Sequence, residues 1–143
     1  MRKRSRAREV AFQLLFQRDL HPRFTQDLCE ELANDRISVP GLVTFCLELY
    51  EGTQANLPLI DQQLHRCASN WKLSRMSTVD RNVMRLAAYE MLFTETPPKV
   101  VLNEAIELSR RFGAERSPRF VNGVLDRLLK DQQAPIATEA KED

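Results

Sequence analysis

Between Val83 and Phe93 the chain is apolar on nearly every side: Val83, Met84, Leu86, Ala87, Ala88, Tyr89, Met91, Leu92 and Phe93. A helix with no polar face has to be wrapped by others, so this run predicts the centre of a helical fold. Ser77-Thr78-Val79-Asp80 precedes it with the Ser-x-x-Asp form of a capping box, and Pro97-Pro98 stops it. Val101, Ala105, Leu108 and Phe112 then recur at i, i+4, i+7 and i+11, one core-facing stripe of a helix that starts near Lys99. Arg110 and Arg111 suit its last turn, and Gly113 reads as its C′ residue. Ser117-Pro118 opens the next helix as N-cap and N1, with Val121, Val124, Leu125, Leu128 and Leu129 on one side.

Upstream the pattern repeats. Ala7, Val10, Ala11, Leu14 and Leu15 form a helical stripe that His21-Pro22 ends. A short acidic helix from about Thr25 to Arg36 follows. Ser38-Val39-Pro40 caps a third, carrying Leu42, Val43, Phe45, Cys46, Leu49 and Tyr50, which Gly52 interrupts or ends. A fourth, from about Ala55 to Ala68, places Leu57, Ile60, Leu64 and Cys67 at helical spacing. Ser69-Asn70-Trp71 reads as a junction, with Trp71 packed at the hinge. No stretch alternates with period two over the length of a strand. The fold class is therefore all-α, with about seven helices, and the polar segment 131–143 reads as a disordered tail.

At 143 residues the chain fits one domain with a real core. No apolar stretch approaches the ~20 residues of a membrane span. The basic N-terminus lacks the apolar region of a secretory signal, which places the chain in the cytoplasm. Cys29, Cys46 and Cys67 are odd in number and far apart, as buried reduced thiols would be. The net charge of +1 hides a segregation: residues 1–23 carry +5, 24–70 carry −5, 71–130 carry +4 and 131–143 carry −3. Basic regions flanking an acidic one suggest a polyanion on one side and a different partner on the other, while the neutral total argues against general DNA coating.

Catalytic chemistry has no foothold in the sequence. His21 and His65 sit beside no Cys or carboxylate at metal-ligand spacing, and no phosphate-loop, dinucleotide or nucleophile-elbow motif occurs. The expectation is a binding protein with no cofactor. Glu90, the sole charge between Leu86 and Phe93, needs a partner, expected to be an arginine from another helix. Arg2, Lys3, Arg4, Arg6 and Arg8 form either a helical arm for phosphates or a solvated basic terminus. Phe12 and Phe16 lie to one side of the first stripe, either as core or as an exposed patch. At ~100° per residue, Phe120 lies about 110° off its stripe, with Arg119 further out and Arg116 before the cap. That arrangement either stacks a base and holds its phosphate or folds the ring over Pro118 as a lid. Gly123 is read as allowing a close helix–helix contact.

These residues carry a resemblance. Val79-Asp80-Arg81 through Leu86-Ala87-Ala88-Tyr89-Glu90 resembles the central helix of the NusB family of transcription antitermination factors. Pro98 through Leu108, Phe112-Gly113-Ala114-Glu115, and Phe120-Val121-Asn122-Gly123-Val124-Leu125-Asp126 continue it, as do Arg6-Ala7-Arg8-Glu9 and Asn70-Trp71. The likeness spans roughly residues 4–130, although residues 20–66 resemble the family only in helical pattern. It implies two small helical subdomains, about 4–70 and 71–130. It also implies a non-enzymatic factor that binds boxA-type RNA of nascent rRNA with ribosomal protein NusE and helps RNA polymerase read through terminators. The resemblance implies RNA contacts for the arginine arm, Arg81, Arg116, Arg119 and Phe120. It puts Asp80, Phe12 and Phe16 beside protein partners, and admits a monomer or a homodimer.

Three positions depart from the family pattern: Ser5 interrupts the arginine cluster, Cys67 stands where relatives often carry an aromatic, and Arg116 replaces an acid found in some relatives. Two other readings stay open: an adaptor that has lost RNA binding, and the NusB-like domain of an RNA cytosine methyltransferase. On the RNA-binding reading, Arg8→Ala and Phe120→Ala each weaken RNA binding and leave helical content and thermal stability nearly unchanged.

Overall fold

The computed structural model describes residues 3–68 and 75–133, which form seven α-helices and no strand. They are α1 Lys3–Leu20, α2 Gln26–Arg36, α3 Pro40–Ala55, α4 Leu57–Ala68, α5 Thr78–Phe93, α6 Pro98–Phe112 and α7 Ser117–Gln133. The all-α expectation holds, with boundaries close to those the punctuation predicts. Expectations for Arg2, for Asn70-Trp71 and for residues 134–143 lie outside the described residues. Asp131 to Gln133, read as tail, continue α7.

Local chemistry explains most of the ends. Thr25 caps α2 by accepting from Leu28 N–H at 3.2 Å, and Ser77 caps α5 by accepting from Asp80 N–H at 3.0 Å. At α3 the cap position belongs to Val39, with no side-chain hydrogen bond, and Pro40 supplies the first turn. Gly52 neither interrupts nor ends α3, which runs to Ala55. Its missing side chain serves packing instead, because a Cβ there would stand 2.2 Å from Cζ of Tyr89 on α5. Gly113 ends α6 in extended backbone (φ −93°), not in the left-handed conformation of a C′ glycine. A Cβ at this position would stand 2.5 Å from Ser117 Oγ, and that crowding accounts for the glycine. Gly123 faces open space, so no close helix contact needs it.

The central helix is α5. It packs against α1, α3, α4, α6 and α7, and buries Val83, Met84, Leu86, Ala87 and Ala88. Removing each large apolar side chain from water contributes about 1.5–3 kcal/mol. Glu90 is buried on the same helix, 1% exposed, and its partner is Arg8 of α1. Arg8 Nε donates to Glu90 Oε1 at 2.8 Å and Nη2 to Oε2 at 2.9 Å, a bidentate pair. Glu104 of α6 lies 3.9 Å from the same guanidinium and accepts from Ser5 Oγ at 2.8 Å. The arginine expected for Glu90 is thus one for which the family resemblance implied an RNA contact. Arg8 is 4% exposed and belongs to the core, because its fork is consumed by a buried carboxylate.

Arg8→Ala therefore acts on folding. Leaving Glu90 buried and unpaired is expected to cost about 3–5 kcal/mol in urea unfolding. Arg8→Met combined with Glu90→Leu, which removes both charges together, recovers most of that loss.

Candidate nucleic-acid interface

Two helix N-termini meet where α5 and α7 begin. Ser117 is buried, and its Oγ accepts from Ala114 N–H at 2.9 Å, pinning the turn between α6 and α7. That turn brings Arg116 next to Arg119 and Phe120 on the first turn of α7, opposite Arg75 and the start of α5. Between them lies a groove of about 490 Å³, also lined by Met76, Ser77 and Asp80. Arg75, Arg116 and Arg119 are exposed. Phe120 is half-buried: its ring packs on the edge of the core and also lines the groove. Partial positive charge at both helix N-termini adds to the three arginines. Asp80, in the first turn of α5, lines the floor, and its Oδ1 has no hydrogen-bond partner among the described residues.

Arg81 lies behind this groove. Its Nε donates to Asp19 Oδ2 at 2.9 Å, with Nη2 at 2.8 Å, and Nη1 reaches the Met76 carbonyl at 3.3 Å. It supports the wall and does not present a cation on the surface. Asp19 also accepts from Asn82 Nδ2 at 2.9 Å and faces Arg85 at 3.3 Å, while Arg85 forms a bidentate pair with Asp61 of α4 at 2.8 Å. Burial pushes the Asp19 carboxyl up, but the hydrogen bonds from Asn82 and Arg81 and the charges of Arg81 and Arg85 together hold it below the ordinary carboxylate value. Sequence reasoning missed Asp19, Asp61, Arg85 and Arg75. The i, i+4 spacing of Arg81 and Arg85 was a signal for one face, but nothing local points to a carboxylate more than 60 residues away.

The N-terminal arm is divided. Lys3 and Arg4 are exposed, and the Arg4 guanidinium lies 4.4 Å from the Phe45 ring centroid. Arg6 pairs with Glu9 at 2.8 Å, and Glu9, itself buried, also binds Arg111 at 2.7 Å. Phe12 and Phe16 are divided as well. Phe12 is 3% exposed and packs on Phe112 at 5.4 Å, so it belongs to the core and not to an exposed patch. Phe16 is half-buried and lines a groove of about 320 Å³ with Val79, Phe112, Gln17 and Arg36.

Cys29, Cys46 and Cys67 are buried, and desolvation pushes each thiol up, Cys46 to about 12. Near neutral pH they are inert packing groups.

The residues match a known family. A family model described as the NusB family matches residues 5–130. The transcription antitermination protein NusB of Desulfitobacterium hafniense is 43% identical over 128 residues, covering 87% of this chain and 86% of its own. Its namesake from Pseudothermotoga lettingae is 39% identical over 132 residues, covering 91% of this chain and 93% of its own. The solved structure of T. maritima NusB superposes with a TM-score of 0.83 at 38% identity, covering 90% of this chain and 91% of that one. A crystal structure of antitermination factors NusB and NusE in complex with dsRNA gives 0.83 at 26% identity, covering 92% and 98%.

The Asp19 network sets a pH dependence. A carboxyl held low in the native state stabilises above its unfolded pKa, ~3.9, and that contribution fades as pH falls through the native value. Asp19→Asn is expected to cost about 1–3 kcal/mol at pH 7. The gap in Tm between the two proteins should narrow as pH drops below about 4.

Proposed function

The chain belongs to the NusB family of transcription antitermination proteins, and from that premise we propose that it binds boxA-type single-stranded RNA of nascent rRNA together with ribosomal protein NusE. The bound complex helps RNA polymerase read through terminators, beside the polymerase in the cytoplasm. No described helix is long and apolar enough to cross a membrane. The family is non-enzymatic, and the function here is assembly.

The observation that carries this reading is the groove at the start of α7, where Phe120 stands between arginines at a helix N-terminus. An aromatic face takes an unpaired base, and Arg116, Arg119 and Arg75 take the flanking phosphates. Lys3 and Arg6 extend the contact along α1. Asp80 lines the groove floor beside these arginines, with one carboxylate oxygen buried and without a hydrogen-bond partner among the described residues. The groove of Phe16, Val79 and Phe112 is the surface assigned to NusE. A related NusB is found with NusE and RNA in one crystal, which supports this pairing of partners. Arg8 and Arg81 contribute by holding α1 and the groove wall in place.

The test is fluorescence anisotropy of a short boxA-like RNA, with and without NusE, at two salt concentrations. Affinity is expected to rise with NusE and to fall with salt. Phe120→Leu keeps apolar packing but loses the stacking face, and should weaken binding by about 1–3 kcal/mol. Arg116→Ala or Arg119→Ala should lower the salt slope by about one phosphate contact. Binding of NusE with no RNA affinity at either salt would leave a protein adaptor instead.

A further inference from the structure

The central helix carries a groove at each end. The arginine-lined one stands at its start; a larger one, of about 640 Å³, opens where it ends at Thr94, between α1, α3 and the beginning of α6. Asp80 and Thr94 are about 20 Å apart along α5 at ~1.5 Å per residue. A neighbouring groove of about 470 Å³ continues the larger one along α3, sharing Phe45, Leu49 and Thr94. Their common floor is apolar. Tyr89 and Val100 line it, Val100 being 40% exposed, while Phe93 stacks on Tyr89 at 5.6 Å without lining either groove.

The rim has the opposite sign to the RNA groove. Glu48, Glu51, Glu95 and Glu104 line it, while Arg8 and Glu90 beneath cancel one another. Arg4 reaches in and lays its guanidinium on the Phe45 ring. The chain's own arginine thus shows the geometry by which this groove takes a cation, on an aromatic face with carboxylates nearby. A phosphate backbone approaching here meets excess negative charge, whereas a basic peptide meets its complement.

We propose that this acid-rimmed groove docks a basic, apolar-faced helical segment of a protein partner. Its apolar anchors lie on Phe45, Tyr89 and Val100, and its lysines or arginines face the glutamates. Arg4 then belongs to this surface and not to the RNA-binding arm. The two grooves are separate, so this surface stands or falls independently of RNA binding.

The probe is a synthetic amphipathic helix of leucine and lysine, with a leucine–glutamate analogue of identical pattern. Each is titrated into the 15N-labelled full chain and followed by amide shifts. Expected are shifts centred on Phe45, Gly52, Tyr89 and Val100, with 116–120 unmoved and the lysine peptide at least about tenfold tighter. Glu48→Lys with Glu95→Lys, both at exposed positions, should abolish that preference while leaving RNA anisotropy unweakened. Absence of shifts, shifts centred on 116–120, or a preference that survives the charge reversal would overturn the proposal. A single-stranded RNA that moves the same α3 and α5 amides would overturn it too, assigning the groove to nucleic acid.

Discussion

A carboxylate cannot sit dry in a helical core without a cation, and Glu90 sits there. That constraint ties α1 to α5. Arg8 must reach Glu90 with both nitrogens of its fork, which fixes the rotation and height of α1 against α5. With α1 fixed, Phe12 falls onto Phe112 of α6, and Glu9 meets Arg111 from the same helix. The pair gains little stability over an apolar substitute of the same shape. It specifies which way round the first helix packs.

Such pairing also decides which cations remain for partners. Arg8, Arg81, Arg85 and Arg111 are each spent on a carboxylate of another helix. The exposed arginines left near the start of α5 and α7 gather on one groove, while glutamates gather at the other end of α5. A nearly neutral protein thereby acquires two poles. Charge counted along the sequence is a poor guide to charge available at the surface.

Legibility followed the range of the forces involved. Helix positions were readable because proline, capping residues and apolar spacing act within a few residues, and α3 aside, the ends fall where those signals stand. The need of Glu90 for an arginine was readable from its burial alone. Which arginine was not, since pairing across 82 residues leaves no local trace. Phe12 and Phe16 share a helix face in projection, but only the position of Phe112 determines that one is covered. Gly52 read as an interruption and Gly123 as a site of close helix contact; the structure reverses this, with the Tyr89 ring against the first and nothing against the second. The groove itself was half legible: Arg116, Arg119, Phe120 and Asp80 were named from the sequence, while Arg75 emerged only from the turn that carries it.

The distance along the chain between Arg8 and Glu90 has a consequence during synthesis. A ribosome adding roughly 5–20 residues per second makes Arg8 some 4–16 s before it makes Glu90. Through that interval α1 has a basic N-terminal turn and an apolar stripe but no central helix to receive them. Closure of the core must wait for α5, so the nascent chain spends seconds as a basic, amphipathic segment beside the ribosome's own RNA.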